Sequence, residues 1–394
     1  MKVALITHFF PPEPGAGALR VATLAKALAN AGHDVTVVTT YPSFPRGRFA
    51  EGRRPVLRVD DGDGYRIVRL FSILVPGMPG SRFLHWLTTA LAQSLYMIGA
   101  RERYDVVIVS SPPITVTVPG LIGAARHGAR FVVDVRDVFP DIAIAMGVWK
   151  SDGFVVRTLE RFVRFLYSRA DLVSAVTPTA ITQIARRGVE PSRLVLARNA
   201  AERLPDVQPV SPRADGFTAV YAGNLGLTTD VDVLADAAKL VASDGISIEI
   251  VGDGAQRKRL DERVRSEGIR NLHLVGSLPR AGAMAKVASA DVSIIPLRKG
   301  IEESVPTKLY DAMSVSCPVI VAAGGEAQSE GASLGAICTP AGDAPALAEA
   351  LRQISLLDKV ALRELGEKGK ELVMRRADRA DIMANLAGRI AALC

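Results

Sequence analysis

At 394 residues, 48% of them apolar and 5% aromatic, the chain exceeds what one core usually organises and suits two domains of ordinary size. Three cysteines, Cys317, Cys338 and Cys394, supply neither a disulfide framework nor metal-ligand spacing, which excludes a disulfide scaffold and favours a reducing cytoplasm. A net charge of +7 fits a phosphorylated small molecule, an anionic membrane surface or plain solvation, while no basic run interleaved with aromatics supports nucleic acid.

The opening MKVALITHFFPP reads as a buried strand, its apolar run being too short for a signal peptide. Strands are predicted at VALIT (3–7), DVTVVT (34–39), YDVVIVS (104–110), RFVVDV (130–135), LVSAVT (172–177) and RLVLA (193–197). The segment GALRVATLAKALANAGH between the first two is an amphipathic helix ending at Gly32. That β-α-β order implies a parallel sheet with helices on both faces. PVLRVDDGDGYRIVRL (55–70) is expected to form an inserted hairpin, with the DGD triplet at 61–63 as its turn rather than a metal site.

The stretch from Phe83 to Ala100 is interrupted by His85, Gln93 and two threonines, so it is not a membrane span. SRFLHWLTTALAQSLYMIGARER (81–103) and FVVRTLERFVRFLYSR (154–169) read either as core helices with snorkelling arginines or as helices lying on an anionic membrane.

Residues 201–216 hold three prolines and little periodicity, and are expected to form a linker. The alternation then restarts with FTAVYAG (217–223), SIEIVG (247–252), LHLVG (272–276), VSIIPL (292–297), PVIVAA (318–323) and GAIC (335–338). The expected architecture is α/β, with two doubly wound Rossmann-like domains, 1–200 and 217–377, facing across a cleft. A last helix over 378–394 is expected to return to the first domain. Ligands of such sheets bind at the carboxyl ends of the strands, beside helix starts that favour phosphate.

Four stretches carry candidate chemistry. In HFFPPEPGAGALR (8–20), Gly15 and Gly17 let a ligand approach the backbone ahead of a helix; the alternative is a tight turn without a ligand. In VVDVRDVFPD (132–141), Asp134, Arg136 and Asp137 sit at a strand end, either as a salt bridge ordering the turn or with Asp137 as a base or sugar contact. YAGNLGLTTD (221–230) places Gly223, Asn224 and Gly226 in a strand-to-helix turn, and VGDGAQRKRL (251–260) places Asp253 in a second.

In GIEESVPTKLYDAMSVSCPVIVA (300–322), Pro306 suits a helix's first turn and Ser304 its N-cap. The N–H groups around Ser304, Val305 and Thr307 would then face a phosphate, with Lys308 adding charge. Glu302 and Glu303 precede the helix and Asp311 lies within it, positions suited to a sugar and a ribose. A plainer reading pairs Asp311 with Lys308 and uses the glutamates only to favour the helix start.

With these motifs in order, the chain resembles the retaining glycosyltransferases of family 4, which have the GT-B fold. Glu303 and Asp311 match that family's E-x7-E motif, aspartate replacing the second glutamate. GAG at 15–17, SSPP at 110–113, DVRD at 134–137, YAGNLG at 221–226, VGDG at 251–254 and VPTKLYDAM at 305–313 match as well. The group that it is most similar to contains N-acetylfucosamine transferases of bacterial surface-polysaccharide assembly.

The resemblance implies that Glu303 faces the transferred sugar and Asp311 the ribose, and that the turns at Gly15–Gly17 and Ser304–Thr307 flank the diphosphate. Asp137 falls where many members have a sugar-contacting histidine or aspartate. It implies a nucleotide-sugar donor, UDP-linked by expectation, and a lipid-linked or glycan acceptor. No metal cofactor is expected, and the implied location is cytoplasmic, at the inner face of the plasma membrane if the basic helices bind lipid.

Two departures stand out. GNLGLTTDVD lacks the arginine and lysine that many members use to neutralise the diphosphate, leaving Lys308 or Arg298 to supply that charge. Asn199-Ala200 replaces a frequent Asn-Gly turn. Other readings are a UDP-sugar 2-epimerase, a transferase tailoring a small natural product and a non-catalytic nucleotide-sugar binder. A dinucleotide oxidoreductase is disfavoured, because GAGALR lacks the third glycine of its fingerprint.

Overall fold

A computed structural model describes all residues except 14, 44–46, 50–53, 79, 205–206 and 208–215. The chain divides into two units: Met1–Arg198 with Ala380–Cys394, and Asn199–Arg379. Most of the linker expected over 201–216 lies outside the described residues. Ala201, however, pairs with Asp378 inside the second unit.

The first unit opens with β1 (Lys2–Thr7), α1 (Ala16–Asn30) and β2 (Asp34–Thr40), followed by β3 (Leu57–Asp61) and β4 (Arg66–Leu70). It continues through α2 (Ser81–Gly99), β5 (Val106–Ser111), α3 (Thr117–His127), β6 (Arg130–Val135) and α4 (Asp141–Ala145). It ends with α5 (Phe154–Arg169), β7 (Leu172–Ala175), α6 (Pro178–Arg186) and β8 (Leu194–Leu196). The sheet order is β3-β4-β2-β1-β5-β6-β7-β8. Every pairing is parallel except the β3–β4 hairpin, whose turn spans 62–65, with Asp61 of the DGD triplet closing β3 opposite Arg66.

Strands β1, β5 and β6 are buried almost throughout, because helices cover both faces of a parallel sheet. That is why their sequences are continuous apolar runs rather than alternating ones.

The second unit contains β9 (Phe217–Ala222), α7 (Val231–Leu240), β10 (Ile246–Val251), α8 (Arg257–Ser266), β11 (Leu272–Gly276) and α9 (Arg280–Ser289). There follow β12 (Val292–Pro296), α10 (Thr307–Ser314), β13 (Val319–Ala322), α11 (Gly325–Ser333), β14 (Ile337–Thr339), α12 (Ala344–Ser355) and α13 (Lys359–Arg376). The sheet is all parallel, in the order β11-β10-β9-β12-β13-β14.

The final helix, α14 (Arg379–Ala391), buries Met383, Leu386, Ala387 and Ile390 in the core that contains Val3, Leu5 and Val35 of the first unit. Each of the three larger side chains contributes about 2 kcal/mol of transfer free energy.

Helix α2 reverses the usual amphipathic order. Phe83, Leu87, Leu91, Leu95 and Ile98 are between 46% and 62% exposed. Its buried face carries Ser81, His85, Thr89, Gln93 and Ser94 together with Ala90 and Met97. It is therefore not the plain core helix that one sequence reading allowed. No helix among the described residues is long and apolar enough to cross a membrane.

Candidate active site

In the second unit the site gathers at the carboxyl ends of β9 and β10 and at the start of α10. Two glycine turns meet there backbone to backbone. Gly223 N donates to Val251 O at 2.9 Å, and Leu225 N donates to Asp253 O at 2.9 Å. Gly252 has φ +150°, and a Cβ built on it would lie 1.9 Å from Gly223 O. A Cβ on Gly254 would lie 2.6 Å from Asn224 Oδ1 and 2.7 Å from Leu225 O, while Gly226 lies under the Asn224 side chain. Asp253 Oδ1 accepts from Gly254 N at 2.7 Å, capping its own turn.

Residues that sequence reasoning did not single out fix these turns. The hydroxyl of Tyr221, a fully buried residue, donates to Asn224 O at 2.7 Å. Gln256 Nε2 donates to Gly226 O and Thr229 O.

Lys308 Nζ donates to the Tyr221 hydroxyl at 2.6 Å and stands 4.4 Å from its ring centroid. A Cβ on Gly223 would come within 2.8 Å of this ammonium. No carboxylate among the described residues lies within 4 Å of it, so a positive charge sits uncompensated beside the glycine turn. Asp311 does not pair with Lys308, as the plainer reading had it. It accepts from Arg280 Nη2 at 3.1 Å, through its Oδ1. Arg298, the other cation considered, is exposed, and among the described residues its guanidinium reaches only Leu227 O.

The expected N-cap at Ser304 is corrected. Helix α10 starts at Thr307, Pro306 occupies the cap position with ψ 138°, and no side chain caps the helix. A proline disfavours helical geometry in the residue before it, so the helix cannot begin as early as Val305. The first-turn N–H groups, those of Thr307 and Lys308 included, therefore open the helix without intrahelical acceptors. Val305 is buried, and its carbonyl accepts from Asn199 Nδ2 at 3.1 Å.

Glu302 and Glu303 do not act alike. The Glu302 carboxylate lies against Gly324, where a Cβ would be 2.8 Å from Oε2, and its carbonyl accepts from Glu326 N. It thus attends the start of α11 rather than that of α10. Glu303 is half-buried in the segment leading to α10.

In the first unit, Gly15 precedes α1 with φ 135°. A Cβ on Gly17 would lie 1.8 Å from Arg136 Nη1, so a side chain here would have to displace that guanidinium. The expected Asp–Arg turn pair is not local. Asp134 is fully buried and receives Arg20 at 2.8 and 3.0 Å, Ser110 at 3.0 Å and Ser174 at 2.7 Å. Burial works against its charged form, but Arg20 and these hydrogen bonds outweigh that and hold its carboxyl below the usual range. Arg136 instead donates to Pro112 O at 2.6 Å. Burial raises the Asp137 carboxyl, with Arg136 partly opposing. Among the described residues no three His, Cys, Asp or Glu side chains are grouped to hold a metal ion.

His8, next to β1, and His85, on α2, meet edge to face with ring centroids 4.7 Å apart and are both buried. Burial first, then His85 and Arg136, lowers His8 to about 3; burial lowers His85 to about 4. Unfolded, each would titrate at the ordinary value of 6.5. The unfolded chain therefore takes up protons that the folded chain refuses as pH falls from that value towards 4. Stability is complete above the ordinary value and is lost below it, by about 2 kcal/mol per histidine at about pH 5. Urea unfolding should show this decline in the wild type and a much shallower one in His8→Gln/His85→Gln. Equal declines would acquit the histidines.

Comparisons with known proteins identify the family. The family described as "Glycosyl transferase 4-like domain" matches residues 15–200, and "Glycosyl transferases group 1" matches 216–356. The chain is a glycosyltransferase of the GT-B fold.

The glycosyltransferase is 28% identical over 299 residues to "Probable glycosyltransferase WbjE" of Pseudomonas aeruginosa, covering 72% of this chain and 74% of that one. It is 24% identical over 403 residues to WcaI of Escherichia coli (strain K12), whose name assigns it to colanic acid biosynthesis, covering 95% and 98%. Anabaena HepE, solved in complex with UDP and glucose, superposes over all of both chains with a TM-score of 0.70 at 15% identity.

Proposed function

We propose that this glycosyltransferase moves a sugar, with retention at the anomeric carbon, from a nucleoside diphosphate donor to an acceptor of cell-surface glycan assembly. The observation that carries the reading is the uncompensated Lys308 ammonium at Gly223, beside the uncapped start of α10. Cleaving a sugar–phosphate bond leaves a negative diphosphate. Preorganised N–H groups and a fixed cation stabilise that charge where it develops.

In this reading Lys308 and the N–H groups around Ser304, Val305 and Thr307 hold the diphosphate. The turns at Gly223–Gly226 and Asp253 give it room. Glu303 faces the sugar, and Asp311 accepts from the ribose. Glu302 supports the segment through α11. The carbon–oxygen bond breaks with its electron pair on the diphosphate, an acceptor hydroxyl oxygen bonds the carbon, and its proton leaves with the diphosphate. No metal is required for these steps.

The donor is read as a UDP-linked N-acetylated or 6-deoxy hexosamine, supported by the family 4 resemblance and by the UDP bound to HepE. The acceptor is read as a polyprenyl-diphosphate-linked sugar at the inner membrane face. The inverted helix α2 supports this, with exposed Arg82, Arg101 and Arg103 beside its apolar stripe, as do the exposed arginines of α5.

The test incubates radiolabelled nucleotide sugars with anionic vesicles bearing such an acceptor. Label in the lipid extract, with protein in the floated fraction, is the expected result. Release of free sugar and UDP without any acceptor would point to an epimerase instead.

A further inference from the structure

Asp311 is held by a set of charges that no sequence motif announces. Glu202, Arg280, Asp311 and Arg379 all belong to the second unit. Arg280 Nη2 donates to Asp311 Oδ1 at 3.1 Å and to Glu202 Oε2 at 3.1 Å. Arg379 Nη1 donates to Glu202 Oε2 at 3.2 Å, and its Nη2 stands 3.8 Å from Asp311 Oδ1. Arg379 is buried and is itself anchored, donating to Ala200 O at 3.1 Å. The backbone beneath is equally fixed, since Ala201 N donates to Ala377 O and Arg379 N to Ala201 O, both at 2.9 Å.

Two cations therefore face two anions, and the set is neutral. Its contacts with Asp311 are one-sided. Both arginines address Oδ1, and no hydrogen bond from the described residues reaches Oδ2. An ionised carboxylate has acceptor sites on both oxygens. A mostly buried one that is held by a single oxygen keeps the other for a donor from outside. An aspartate is also short, so the direction of that oxygen depends on what grips its partner.

We propose that Arg280 and Arg379, braced by Glu202, are positioning residues that aim Asp311 Oδ2 at the 2′-hydroxyl of a ribonucleoside diphosphate. They thereby make the enzyme selective for ribose over 2′-deoxyribose. This rests on the reading of Asp311 as the ribose contact. Because Arg280 is partly exposed and Arg379 is buried, Arg280 is the safer residue to vary.

Calorimetric titration of the full chain with UDP, GDP and their 2′-deoxy counterparts tests the proposal. The wild type should bind the ribo form about ten- to a hundredfold more tightly in at least one pair, the worth of one hydrogen bond to a charged group. Asp311→Asn should lose most of that preference. Arg280→Gln should reduce it to below about threefold while leaving affinity for the 2′-deoxy form unchanged, and Arg280→Lys should restore part of it.

A purely structural role would weaken both forms equally and keep their ratio, which would overturn the proposal. Should Arg280→Gln keep the full preference while Asp311→Asn loses it, the ribose contact stands and the positioning role falls. Should Asp311→Asn keep it too, or the wild type show none in either pair, the ribose contact itself is refuted.

Discussion

Lys308→Ala is expected to slow sugar transfer by about two to three orders of magnitude, the loss typical when one preorganised partner of a developing anion is removed. Nucleoside diphosphate binding should weaken by about tenfold or more, as for one charged hydrogen bond. The ammonium has three donors, one of which is spent on Tyr221. With no carboxylate within 4 Å among the described residues, none of those residues' acids competes with a phosphate for the others.

Stability should hardly change, because Lys308 gives up one hydrogen bond and a partly exposed ring contact. Activity and stability are thus expected to separate. Lys308→Arg should recover only part of the rate, since a planar guanidinium cannot share the space over Gly223 with the Tyr221 ring in the same way. Arg298→Ala is the control. That side chain is exposed and holds only a carbonyl, so it should lose little. A Lys308→Ala enzyme within about threefold of wild type in kcat/KM would move the diphosphate charge elsewhere.

The strands of both sheets were legible because burial on both faces leaves unbroken apolar runs such as VVIV in β5 and VIVA in β13. The hairpin was legible from its DGD turn. The glycine turns showed too, since Gly223, Gly252 and Gly254 need backbone conformations that side chains disfavour. What escaped was what distance in sequence hides. Tyr221 and Lys308 are 87 residues apart, and Arg20 reaches Asp134 across 114. Arg280 and Arg379 carry no local signal of the carboxylate they hold.

The misplaced N-cap at Ser304 has a local cause, the restriction that Pro306 imposes on Val305. The polar buried face of α2 was hidden for another reason: periodicity reports that a helix has two faces, not which of them is covered.

Gly252→Ala should be among the most damaging single-atom changes in the second unit. The φ of +150° is strained for any side chain, and the new methyl would meet Gly223 O at 1.9 Å and its carbonyl carbon at 2.9 Å. Those atoms are backbone, so no rotamer change relieves the overlap. Strain and overpacking each cost about 1–3 kcal/mol, and the expected loss in urea unfolding is about 3 kcal/mol or more.

Gly32→Ala separates the two causes. Its φ of +82° is also left-handed, yet nothing lies within 4 Å of the added atom, so it should cost only the backbone strain, about 1–2 kcal/mol. Relief of the overlap at Gly252 requires the two turns to part, which shifts Gly223 from under Lys308 and Asn224 from its bond with Tyr221. Whatever protein remains folded should therefore bind nucleoside diphosphate weakly. If Gly252→Ala matched Gly32→Ala in stability and kept its affinity, the turns would be free to separate, and close backbone packing would not be what shapes this site.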